Sequence, residues 1–176
     1  MSVIAIYARL GSDSMARCRS DPRWMEALSA STLPGVEVID IDKACDGLVW
    51  LLSRMPLPLD GKPKDVVSIV QQSLAPLLQG EGGASEPRLE APYGPASALS
   101  TQQVTDLSMW LQSLDEARVR SCYDPRAMAA DRVYPQIWMK EGEAACDEYL
   151  LPALRELRDF FARAHKAGQQ VLVFFT

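Results

Sequence analysis

A chain of 176 residues, 48% hydrophobic and 23% charged, is long enough to bury one substantial core. It holds no apolar run near the roughly 18 residues that a membrane span needs. The net charge of −5, with no basic stripe to offset it, disfavours a nucleic-acid surface, because phosphate binding draws on clustered Lys and Arg. A single soluble domain over residues 1–176 is expected, and its short apolar N-terminus lacks the basic segment and cleavage site of a secretory signal. A cytoplasmic location, with no membrane association, follows as the default.

Residues 2–10 read as a strand buried on both faces, since Val3, Ile4, Ile6 and Tyr7 form a nearly continuous apolar run. Gly11 to Asp13 turns the chain into a short helix over about 13–19. A second short helix starts at Asp21-Pro22, with Asp suited to the N-cap and Pro to the first helical position. Pro34-Gly35 then breaks the chain before a second strand at 36–41. Cys45, Leu48, Val49 and Leu52 lie on one helical face and predict a helix over 43–54, with Asp42 as its N-cap. Pro56, Pro58 and Pro63 force a loop. Val66, Val67, Ile69, Val70, Leu74, Leu77 and Leu78 mark a further helix that Pro76 tightens. The Gly- and Pro-rich stretch over 80–92 reads as an exposed loop.

A third strand is expected over 93–99, ended by a capping box in which Ser100 is the N-cap and Gln103 its reciprocal partner. The helix so opened carries Val104, Leu107, Leu111 and Leu114. Further helices follow at about 115–121 and from Asp124-Pro125. "VYPQIW" is a rigid connection, and its Tyr134-Pro135 bond is a place where a cis peptide can occur. From Glu143, Cys146, Leu150, Leu154, Leu157, Phe161 and Ala164 trace one face of a long helix that Pro152 should kink and Gly168 should end. The closing run over 170–175 is a fourth, buried strand. The fold class is therefore α+β, with a small mixed four-stranded sheet packed with several helices.

Candidate chemistry is sparse. Cys18, Cys45, Cys122 and Cys146 form no C-x-x-C pair and have one histidine to join them, so no metal site is expected and the cysteines read as small buried hydrophobes. His165 complements the end of the last helix. There is no G-x-S-x-G elbow, and the glycines of "GEGG" lie outside a strand-to-helix turn, so neither a serine nucleophile nor a phosphate loop is indicated. No cofactor is implied.

Three groups of residues merit weighing. Asp40, Asp42 and Lys43 follow the second strand, where carboxylates either cap a helix or sit at a ligand site beyond the strand's carboxyl end. Glu143, Asp147 and Glu148, with Glu141, make a dense acidic stretch that suits either a solvated helix start or a surface for a basic protein partner. Tyr93, Tyr134 and Trp138 are ordinary core aromatics or the lining of a pocket.

"IDIDKACDGLVWLL", "YGPASALSTQQVTDL", "YDPRAMAADRVYPQIW" and "GQQVLVFF", in this order, resemble the segments of the YfbM-like family of small bacterial proteins. The resemblance covers most of the chain. It implies one compact cytoplasmic domain with a small mixed sheet and several helices, and it carries no established biochemical role. Where similar proteins tend to have a tryptophan two residues after the lysine and a histidine four beyond it, this chain has Cys45 and Val49. Asp40, Asp42 and Lys43 thus lack a histidine base, which weakens an enzymatic reading.

Three functions are weighed on this basis. The first is a non-enzymatic binding protein, including an immunity-type antagonist of a basic partner. A second is a hydrolase- or transferase-type enzyme using Asp40 and Asp42, with Lys43 polarising the substrate and Tyr134 near the pocket. Small-molecule binding between Tyr93, Tyr134 and Trp138 is the third.

Overall fold

The structure is a computed structural model that describes residues 3–21, 23–30, 32–33, 35–55 and 74–176. Five strands build one sheet: β1 (Ala5–Leu10), β2 (Glu37–Asp40), β3 (Ala84–Ala91), β4 (Gly94–Leu99) and β5 (Gln170–Phe175). Their order is β2-β1-β5-β4-β3, and every neighbouring pair is antiparallel. The α+β class holds, whereas the expected mixed four-stranded sheet does not. Two short helices, α1 (Ser12–Ser20) and α2 (Arg23–Ser29), lie between β1 and β2 in place of a single crossover helix. The chain re-enters the sheet in the opposite sense, as an antiparallel neighbour.

The missed strand is β3, in the stretch read as an exposed loop. Its sequence ASEPRLEA is polar, and Leu89 is its one fully buried residue. It occupies an edge, where Pro87 is tolerated because the register slips between Glu86 and Glu90. Edge strands seldom show the apolar alternation by which strands are recognised, since one side is not covered.

Both faces of the sheet are buried, which explains the continuous apolar runs of β1 and β5. Tyr7, Val171 and Val173 point into the larger core, while Ile6, Ala8, Leu10, Leu172 and Phe174 point into the smaller one. Met15, Cys18, Met25 and Leu28 of α1 and α2 close the smaller core. The larger core lies under α3 (Ala44–Ser53), α4 (Thr101–Ser113) and α8 (Leu151–Lys166). At its centre Tyr7, Phe160 and Phe161 make edge-to-face contacts, with ring centroids 5.5 to 6.3 Å apart.

Local signals set the helix boundaries. Ser100 Oγ accepts the Gln103 N–H at 3.2 Å while Gln103 Oε1 accepts the Ser100 N–H at 2.9 Å, so the expected capping box opens α4. Asp115 and Asp124 cap the short helices α5 (Glu116–Ser121) and α6 (Pro125–Ala130). Tyr134-Pro135 is cis and leads into α7 (Trp138–Glu141).

Before Pro152, where a kink is expected, the chain forms a different irregularity. Residues Ala145–Leu150 form a π-helical turn before α8 begins. Proline has no N–H to give the carbonyl four residues back and its ring crowds that carbonyl, so the turn before it widens. Gly168, at φ +60°, ends α8, with the Gly168 and Gln169 amides closing back on His165 and Ala164.

The expected loop at Pro56, Pro58 and Pro63 and the helical positions Val66 to Val70 lie outside the described residues. Beyond them Ala75–Gln79 is a 3-10 turn ended by Gly80 at φ +77°. A Cβ at Gly80 would stand 2.7 Å from Ser97 Cβ, so glycine alone allows this turn to lie against β4.

Candidate functional site

Asp40, Asp42 and Lys43 form the link from β2 to α3. Asp40 Oδ1 accepts the Asp42 N–H at 3.2 Å, and Asp42 adopts φ +47°. Aspartate is among the few side chains that tolerate this left-handed backbone. The fold corrects the expectation that Asp42 caps α3. The helix starts at Ala44, Lys43 holds the N-cap position, and no side chain caps it. A capping residue needs extended backbone, which Asp42 lacks.

Tyr149 takes over part of that task from 106 residues away. Its hydroxyl accepts the Lys43 N–H at 2.8 Å and donates to Asp42 Oδ2 at 3.2 Å. Nearby, the Tyr134 hydroxyl accepts the Val3 N–H at 3.1 Å. Burial first, and the Asp42 charge second, raise the Tyr149 phenol well above its usual pKa, while the Lys43 amide pulls the other way. The phenol therefore stays protonated and donates to the carboxylate, which suits orientation and not proton transfer at neutral pH.

Tyr149 sits in the π-helical turn and closes one wall of a surface groove of about 270 Å³. Ile137, Ala144 and Ala145 give the groove apolar walls, and Glu141 and Glu148 line it as well. Glu141 meets Lys140 at 3.0 Å in an exposed pair. Two hydrogen bonds fix the chain that flanks the groove. Tyr123 donates to the Gly142 carbonyl at 2.8 Å, and Trp138, fully buried, donates its indole N–H to the Val133 carbonyl at 2.7 Å. Trp138 also lies against α3 so closely that a Cβ on Gly47 would come within 2.6 Å of its ring.

The other anticipated residues separate. Asp147 makes a two-point contact with Arg120 of α5, at 2.6 and 2.9 Å, and Glu143 joins the same guanidinium at 3.3 Å. Arg120 holds the Asp147 carboxyl below its usual pKa. Arg120 thus engages two members of the acidic stretch, and Glu141 and Glu148 are the two that line the groove. Tyr93 lies on the turn between β3 and β4. Trp138 belongs to the core, so Tyr93, Tyr134 and Trp138 do not line one open pocket as expected.

Cys18, Cys45 and Cys146 are buried, as expected, and Cys122 is half-buried. The Cys45 thiol and the Tyr7 hydroxyl both reach the Leu78 carbonyl, at 3.4 and 2.6 Å, and burial pushes that thiol up to about 12. His165 Nδ1 meets the Thr105 hydroxyl at 2.9 Å. Among the described residues no group of three His, Cys, Asp or Glu side chains is placed to hold a metal ion, and no helix is long and apolar enough to cross a membrane.

The family model described as "Domain of unknown function (DUF1877)" matches residues 1–174. The chain belongs to this DUF1877 family. Among solved structures, the fold is similar to that of YfbM from Escherichia coli, a protein of unknown function. The likeness covers 98% of this chain and 99% of that one at 19% identity, with a TM-score of 0.66. At that identity the likeness shows the fold alone. It bears out the YfbM-like resemblance read from the motifs. No curated protein matches.

Tyr149 is the residue that sequence reasoning passed over. It stands at the end of the acidic stretch "EGEAACDEY", where nothing local signals a contact with Lys43.

Proposed function

We propose that this DUF1877 protein is a non-enzymatic binding protein whose acidic side, running from the end of β2 to the groove, receives a basic protein partner. The observation that carries the reading is one pair of carboxylates close enough to act on each other, Asp40 and Glu156, with three more carboxylates leading from it to the groove. Asp40 and Glu156 are both exposed, and Asp40 is close enough that its charge adds to partial burial in raising the Glu156 carboxyl above its usual pKa. Arg163 opposes that shift, although it is itself engaged by Glu37 at 2.5 Å. Asp42 continues the run through its bond to Tyr149, and Glu148 and Glu141 extend it into the groove. Like charges held together disfavour the free protein, and an incoming cationic surface relieves that cost and steers association.

The paired aspartates add little to an enzymatic alternative. Asp40 is occupied by a backbone amide and Asp42 by a phenol that stays protonated. An immunity-type role, in which the partner is a basic toxin, is one specific form of the binding reading.

The test is capture of partners from the native host at low and moderate salt, with identification of each, by the wild type and by D40N/E156Q. Basic proteins recovered by the wild type and lost by the variant, with binding weakened by salt, support the reading. Partners of no particular charge, or equal capture by the variant, overturn it.

A further inference from the structure

We infer that the groove between α7 and the π-helical turn receives a single lysine or arginine side chain of the basic partner. This deepens the reading above and rests on it. The groove has the two parts such a side chain needs. Ile137, Ala144, Ala145 and the Tyr149 ring offer apolar surface for an aliphatic stem, and Glu141 and Glu148 offer carboxylates for the charged tip. A neutral apolar ligand would leave those carboxylates against an apolar wall, and an anion would be repelled by them. A cation with a methylene stem satisfies both walls.

Among the described residues, the two cations paired with this acidic stretch, Arg120 and Lys140, leave the place open. Arg120 is committed to Asp147 and Glu143. Lys140 pairs with Glu141 through a lysine side chain that is 84% exposed, and pairs of that kind add little and exchange readily.

The π-helical turn supplies the geometry. In a regular helix, residues three and four apart share a face, and the wider turn that Pro152 imposes shifts that register over Ala145–Leu150. It brings Glu148 and Tyr149 to the groove together, while Asp147 turns to Arg120 and Cys146 to the core. Tyr149 is fixed in turn by Lys43 and Asp42, so this wall is ordered before any ligand arrives.

The test uses Nα-acetyl-lysine methylamide as probe, with the norleucine analogue as a neutral control of similar shape, titrated against the whole protein and followed by NMR. Saturable shifts at Ile137, Ala144, Ala145 and Tyr149 with the lysine probe, at least about tenfold weaker with norleucine or in E141Q/E148Q, are expected for a charge-assisted contact. Equal affinity for the two probes, shifts elsewhere on the surface, or no shifts at all would overturn the inference. Because Glu141 and Glu148 are surface residues, the double variant should fold, and its amide spectrum verifies it. The two proposals fail separately. A basic partner that binds wild type and E141Q/E148Q equally leaves the binding reading standing and removes the groove from it. Lysine-probe binding with no basic partner captured does the reverse.

Discussion

At the scale of single residues, Tyr149 joins two segments through one oxygen. Tyr149→Phe removes the acceptor of the Lys43 N–H and the donor to Asp42, leaving a half-buried amide to find water. A loss of about 1 kcal/mol is expected, at the low end of the range for an orphaned buried group because the site is partly open. Urea unfolding with an unchanged slope would measure it. An unaltered midpoint would show that water replaces the hydroxyl. The cysteines offer a second check. Burial raises the thiols of Cys18 and Cys146 to about 11 and that of Cys45 to about 12, whereas Cys122 is half-buried. A disulfide reagent at pH 8 should therefore modify one thiol, Cys122, in the folded protein and all four after unfolding, because the thiolate is the reactive form. Rapid modification of Cys45 in the native state would contradict the burial described.

The elements differ in how much of their placement is local. The capping box of α4 is self-contained within residues 100–103, and it was visible in the sequence for that reason. Ser100→Ala should cost about 1 kcal/mol of stability, read as a lower urea midpoint, since one helix amide loses its acceptor. S100D should retain most of it. Asp42 shows the opposite case, because a residue type suited to capping was placed one position too early and in left-handed backbone. The strand β3 was hidden because its pairing with β4 needs no apolar pattern of its own, only backbone groups and one buried leucine. Arg19 on α1 fixes that edge to the smaller core by a two-point contact with Glu86 at 2.5 to 3.1 Å. The kink expected at Pro152 became a π-helical turn, since loss of one donor can be absorbed by widening the ladder instead of bending it.

Across the whole molecule, ion pairs tie distant elements and set the response to acid. Glu37 on β2 is lowered by Arg163 of α8 and by Arg9 of β1, and Glu116 by Arg155 and Arg158. Carboxyls lowered in the folded state contribute stability that is present above their unfolded value near 4.5 and is lost as pH falls through the folded value. Glu156 has the opposite sign. Raised in the folded state, it contributes stability that is full below its unfolded value and is lost as pH rises through its folded one. The urea midpoint should accordingly fall below about pH 4.5 in the wild type. Glu37→Gln should flatten this acid limb and lower the midpoint at pH 7, and an acid limb identical to wild type would mean that the pairs at Glu37 contribute nothing measurable.

The sequence by itself determined those features whose causes lie within a few residues: the buried strands β1 and β5, the capping box at Ser100, the Asp124-Pro125 helix start and the Gly168 stop. Each arises from backbone sterics, a missing amide or a period of hydrophobicity, and these act locally. The tertiary structure alone decided the strand order, the polar edge strand β3, the neutralising of Asp147 by Arg120 and the joining of Lys43 to Tyr149. Those contacts close long stretches of chain and are held by packing of the two cores, so no short window of residues contains the forces that select them.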